Sequence, residues 1–191
     1  PPDVASDIAD LANPRTVHGF LLAALKERRQ SGIPPFTVLC CDNLPSNGET
    51  LRELVLQFAG AADGELARFI EEEVAFPSTM VDRIVPATTD EDRRRISAAI
   101  GLDDAWPVQT EPFMQWVVED RFTLGRPEWE RAGVTMVSDV RPFEEMKLRL
   151  LNGAHSGLSY LGLLCGRESV SEAFIDPAIR GFVDRLWAEA I

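Results

Sequence analysis

The sequence predicts an α/β fold, with a sheet-and-helix region followed by a mostly helical one, and three observations carry that prediction. An amphipathic helix pattern runs directly into "FTVLCC" (36–41), an apolar run bounded by Pro-Pro and Asp-Asn, as expected of a strand buried on both faces. Two later segments, "EPFMQWVVED" (111–120) and "GVTMVSDV" (133–140), are rich in β-branched or aromatic residues and read as strands. Beyond them strands give way to helices, so a boundary is expected near 140, dividing the chain into 1–140 and 141–191.

Taken in order, the opening "PPDVASDIADLANP" offers no initiator Met, no strand and no helix cap, and reads as the interior of a longer chain. Asn13 is a candidate N-cap with Pro14 at the first helical position, and "RTVHGFLLAALKERRQSG" continues as a helix to a stop at Gly32. After the strand, "DNLPSNGE" is a loop leading to the helix "TLRELVLQFAGAA", and "GELARFIEEE" is a further helix. "VAFPSTMVDRIVP" (74–86) mixes a short strand with a polar turn. "TTDEDRRRISAAIG" is a helix with Thr89 as its cap and acids in its first turn, where they complement the helix dipole. Pro142 opens the helix that carries "KLRLLNGAHS" (147–156), and "DPAIRGFVDRLWAEAI" is the last.

Composition bounds the function classes. A chain of 191 residues, 45% hydrophobic and 26% charged, can bury a sizeable core. Its net charge of -12 argues against nucleic-acid binding by phosphate neutralisation, which needs clustered Lys and Arg. No run approaches the roughly 20 apolar residues of a membrane span, so no membrane partner is expected. The cysteines, adjacent Cys40 and Cys41 and distant Cys165, form neither a disulfide framework nor a CxxC metal pattern. They suit a reducing cytoplasm, with Cys40 expected in a buried strand. No set of His, Cys and carboxylate has metal-ligand spacing, and no glycine-rich GxGxxG or Walker turn follows a strand.

The chemistry-bearing residues lie in three segments. In "KLRLLNGAHS" an ammonium, an amide and an imidazole interrupt the leucines. On a regular helix, which turns by about 100° per residue, His155 stands about 80° and Asn152 about 140° around from Lys147, so the three share one arc. Alone, Lys147 reads as a surface lysine whose stem lies on apolar neighbours, Asn152 as a helix-face amide and His155 as a core histidine. A partly buried lysine also has the chemistry of a general base for alcohol oxidation. The loop "CDNLPSNG" (41–48) follows a strand, where ligands of open α/β sheets bind. Asp42 and Asn43 therefore stand either at a site or in an Asx-turn that ends the strand. In "TMVDRI", Asp82 beside Arg83 is a carboxylate or an ordinary ion pair.

Five blocks, "CDNLPSNG" (41–48), "FPSTMVDRIVP" (76–86), "EPFMQWVVEDRF" (111–122), "GRPEWERAGV" (125–134) and "DVRPFEEMKLRLLNGAH" (139–155), resemble in consistent order the polyol-specific long-chain dehydrogenases, the mannitol 2-dehydrogenase and fructuronate reductase type. The resemblance implies the C-terminal part of a Rossmann-type dinucleotide-binding domain, then the first helices of a helical substrate domain, with the active site in the cleft between domains. It implies a metal-independent oxidoreductase using NAD, with NADP left open, that interconverts a sugar alcohol and a ketose of the mannitol/fructose type. The alternatives are a hexuronate reductase and a non-catalytic sugar-binding module. By the same resemblance Lys147 is the catalytic acid/base, and Asn43 and Asn152 hydrogen-bond the reacting oxygen, Asn43 also lying near the cofactor. His155 and Asp82 are on the substrate side, and Val81 is beside the nicotinamide. The implied partners are a small polyol or ketose and the remaining parts of a parent chain.

Overall fold

The computed structural model describes residues 2–190 and divides into two compact units, Pro1–Ser138 and Asp139–Ile191. The first unit contains helices α1 (Pro2–Ala9), α2 (Val17–Gln30), α3 (Asn47–Ala62), α4 (Gly64–Glu73) and α5 (Asp90–Ile100). They accompany a three-stranded sheet of β1 (Thr79–Asp82), β2 (Gln115–Glu119) and β3 (Thr135–Val137). β2 is central, antiparallel to β1 and parallel to β3. The three strands fall inside the segments whose composition predicts them.

The apolar spacing of the helices builds the core. Leu22 and Leu25 of α2 lie one turn apart and are fully buried against Val55, Phe58 and Ala59 of α3 and Leu66 and Ile70 of α4. Each buried leucine or isoleucine contributes about 1.5–3 kcal/mol. Asp63 ends one helix and starts the next, its N–H donating to Ala59 O while its carboxylate accepts from the N–H groups of Glu65 and Leu66. Thr89 caps α5 in a reciprocal box with Asp92, as the sequence predicts.

Three local readings are corrected. The opening segment is helical as α1, because fully buried Asp7 ties it to the next turn, accepting from the N–H groups of Arg15 and Thr16 and from the Thr16 hydroxyl at 2.6–2.8 Å. That clamp holds Thr16 extended, so Thr16 rather than Asn13 caps α2, and Asn13 instead donates to the Asp10 carboxylate. Residues 36–41 are not a ladder strand, and Cys40 is half-buried outside any strand. The backbone there uses mixed partners: Val38 N–H donates to Ala75 O, while Cys40 O accepts from the Thr79 hydroxyl at 2.7 Å.

The second unit is helical, with α6 (Arg141–Met146), a π-helical turn (Lys147–Asn152), α7 (Gly153–Leu164), α8 (Val170–Ile175) and α9 (Pro177–Ala190). The sequence reading does not anticipate α8. Pro142 lies in the first turn of α6, where its missing N–H costs nothing. Ala154 and Leu158 of α7 pack with Ala173 of α8 and Ile179 and Val183 of α9. Gly157 and Gly162 keep the helices close, since a Cβ would meet the Phe182 ring at 2.7 Å and Ala173 Cβ at 2.8 Å.

Candidate functional site

In the first unit the loop 42–48 is fastened to β1 by one side chain. Asn47, 1% exposed, donates from Nδ2 to Asp42 O at 2.8 Å, Thr79 O at 3.0 Å and Thr79 Oγ1 at 3.1 Å, and accepts the Thr79 N–H at Oδ1 at 2.9 Å. Its amide stands in for a strand residue, giving to and taking from the backbone of Thr79. Gly48 allows the approach, because a Cβ there would lie 2.6–2.7 Å from the backbone of Pro77 and Ser78. Ser46 turns the loop in the left-handed region, φ 46°. Asn43 is exposed on this loop, its N–H donating to Asp42 Oδ1 at 2.8 Å, so the turn and the exposed amide coexist.

Val81 and Asp82 are the last residues of β1, both half-buried, and leave the strand on opposite faces. Val81 pairs with Trp116, which stacks on Trp129 at 5.3 Å, with Phe122 edge-on to Trp129 at 5.6 Å. An aromatic platform thus backs the face that Val81 shares with Thr79. Arg83 donates to the carbonyl of Glu111 at 3.0 Å.

In the second unit the π-helical turn changes the expected arc. The Gly153 N–H donates to Leu148 O, five residues back, so this part of the helix is wound wider, at about 4.4 residues per turn instead of 3.6. Asn152 therefore stands about one turn above Lys147 and within about 50° of it, whereas a regular helix would carry it about 140° around the axis. His155, three residues on in regular α-helix, follows within about 60° of Asn152. Lys147 and Asn152 are half-buried and His155 is exposed, which removes the core-histidine reading. Leu148 and Leu151, neighbours of Lys147 in this turn, are 59% and 47% exposed. From α9, the Trp187 indole N–H donates to Leu150 O at 2.8 Å and braces the turn. At the start of this unit the Arg141 guanidinium grips Asp139 and holds its carboxyl down to about 2.

Residues 3–131 match the model of the mannitol dehydrogenase Rossmann domain. The chain belongs to the mannitol dehydrogenase family. Residues 139–191 match the mannitol dehydrogenase C-terminal domain. Mannitol 2-dehydrogenase of Aspergillus terreus is 47% identical over all of this chain and 39% of its own length. The crystal structure of a substrate-free D-sorbitol dehydrogenase superposes with a TM-score of 0.89 at 44% identity, over 96% of this chain and 38% of that one. Mannitol 2-dehydrogenase of Pseudomonas fluorescens, in ternary complex with NAD and D-mannitol, gives 0.83 at 48% identity, over 96% and 37%. This mannitol dehydrogenase-family chain thus spans under two-fifths of the length of these relatives.

The side chains of the family chain divide by chemistry. Lys147 and Asn152 offer an amine and an amide donor on one face, and Asn43 a third nitrogen donor on an exposed loop. Among the described residues no group of three or more His, Cys, Asp or Glu side chains converges as a metal site, and no helix is long and apolar enough to cross a membrane. Asn47 and Gly48 are the residues fastening this loop that sequence reasoning missed. Their adjacency as Asn-Gly ahead of a helix was the available signal.

Proposed function

We propose that the chain carries the catalytic residues of an NAD-dependent oxidoreductase that interconverts a sugar alcohol and a ketose, with Lys147 as the general acid/base. The observation that carries this reading is the π-helical turn, which stacks Asn152 over Lys147 in a chain of the mannitol dehydrogenase family. The NAD and D-mannitol complex of the P. fluorescens relative supports the choice of cofactor and substrate.

The donor set fits the reacting end of a nicotinamide dinucleotide: nitrogen donors for an oxygen, and an apolar Val81 at the end of a strand. NAD, when bound, supplies the hydride acceptor. In the oxidation direction Lys147 Nζ takes the hydroxyl proton as hydride leaves the carbinol carbon, so the amine must enter the step uncharged. Asn43 and Asn152 donate to the oxygen as it gains alkoxide character, each worth about 3 kcal/mol by analogy with oxyanion-hole donors. His155 holds a substrate hydroxyl, Asp82 lies on the substrate side and Val81 lies against the nicotinamide. In reduction the ammonium of Lys147 returns the proton to the same oxygen.

The test is Lys147→Ala in the full-length protein, assayed with D-mannitol, D-sorbitol and fructuronate. Loss of about 10²–10⁴-fold in kcat on the preferred substrate is expected. Turnover within a few-fold of wild type would sink the lysine assignment. Preference for fructuronate would move the substrate class to hexuronates.

A further inference from the structure

We propose that Asn47 is a positioning residue for Asn43, acting through the peptide that joins Asp42 to Asn43; the proposal rests on the oxygen-binding role of Asn43 given above. Both ends of that peptide are held. Its carbonyl accepts from Asn47 Nδ2 at 2.8 Å, and its N–H donates to Asp42 Oδ1 at 2.8 Å. The same Asn47 amide engages Thr79 at its N–H, its carbonyl and its hydroxyl, and Thr79 shares a face of β1 with Val81 two residues on. One buried carboxamide therefore registers the loop bearing Asn43 against the strand bearing Val81.

The energetics point the same way. A buried amide carries a desolvation cost that an apolar side chain of similar size would not, and it recovers that cost only with its partners in place. The nitrogen and the oxygen of this amide both have partners, so a shift of the loop would leave a buried polar group unsatisfied. Thr79 extends the clamp, its hydroxyl donating to Cys40 O at 2.7 Å, so the chain on both sides of Asn43 is anchored to one strand residue.

A double-mutant cycle in the full-length enzyme tests the coupling. Asn47→Ala is expected to lower kcat by about 10–100-fold, as a misplaced donor does, with NAD affinity by fluorescence titration within twofold of wild type. In an Asn43→Ala background the same substitution should cost less than about threefold, because its effect runs through the amide already removed. A purely structural Asn47 would give the same loss in both backgrounds, and that result overturns the proposal, as does a kcat for Asn47→Ala within about twofold of wild type. If Asn47→Ala does not fold, the same cycle with Thr79→Val, which removes the hydroxyl and keeps the volume, is read by the same criteria. A wild-type kcat in Asn43→Ala alone overturns the role of Asn43 and leaves Asn47 nothing to position.

Discussion

The loop 42–48 and the π-helical turn 147–152 each present a carboxamide, Asn43 in one and Asn152 in the other, and they hold it by opposite means. In the loop the backbone is irregular, and position is set by the hydrogen bonds of the Asn47 side chain, to Thr79 of a strand distant in sequence and to Asp42 of the loop itself. In the helix the backbone itself sets position, through a π-helical turn that Trp187 braces at Leu150 O. An irregular segment needs a dedicated clamp, whereas a helical one needs only a change of repeat. The two should accordingly fail differently, the loop through single side chains and the helix through register.

The largest effect is expected from register. Inserting one alanine after Arg149, which pairs with Glu145 on the exposed side of the π-turn, lengthens the spacing from Lys147 to Asn152 to six residues and turns the amide about 120° around the axis. Asn152 would then leave the face of Lys147, and kcat of the full-length enzyme should fall by about 10²–10⁴-fold, as when the base itself is lost. Circular dichroism should show the helix content kept; an unchanged kcat would mean that the repeat does not matter.

A smaller effect is expected where the loop meets the strand. Gly48→Ala places a Cβ against the backbone of Pro77 and Ser78, which cannot swing aside as a side chain does. The expected cost is about 1–3 kcal/mol in urea unfolding of the first unit's core. A neutral Gly48→Ala would show that the loop shifts freely and that the clamp is weaker than its hydrogen bonds suggest.

The smallest belongs to the clamp between α1 and α2. The Thr16 hydroxyl, with the Thr16 and Arg15 N–H groups, holds the Asp7 carboxyl below its ordinary value of 3.8. A depressed carboxyl contributes stability above its ordinary value and loses it as pH falls through its lower folded value. Asp7→Asn should therefore lower the urea midpoint at neutral pH, with the gap to wild type closing below about pH 4. A gap that stays constant through the acid range would show that the carboxylate charge plays no part.

Legibility followed the range of the interactions. The Thr89 cap of α5 could be read because its partner Asp92 is three residues away, and the three strands could be read from β-branched and aromatic runs. The five family blocks marked the segments that carry Asn43, Val81, Asp82, Lys147, Asn152 and His155. Residues 36–41 misled, because an apolar run cannot report that Cys40 O accepts from the Thr79 hydroxyl and that the Thr37 hydroxyl accepts the Thr123 N–H, in place of a regular ladder. Asn47 escaped notice because its meaning lies in Thr79, 32 residues on.

By itself the sequence determined most of the helices, the three strands of the sheet, the family, and the identity of the candidate side chains, since periodicity, caps and motifs are local properties of the chain. Tertiary structure alone decided that Thr16 rather than Asn13 begins α2, that a buried amide pins the Asn43 loop, and that a π-helical turn brings Asn152 over Lys147. The physical reason is common to all three. Alternatives one residue apart in a cap, a turn or a helical repeat differ little in local energy, and a hydrogen bond from another segment, worth about 0.5–1.5 kcal/mol, selects among them.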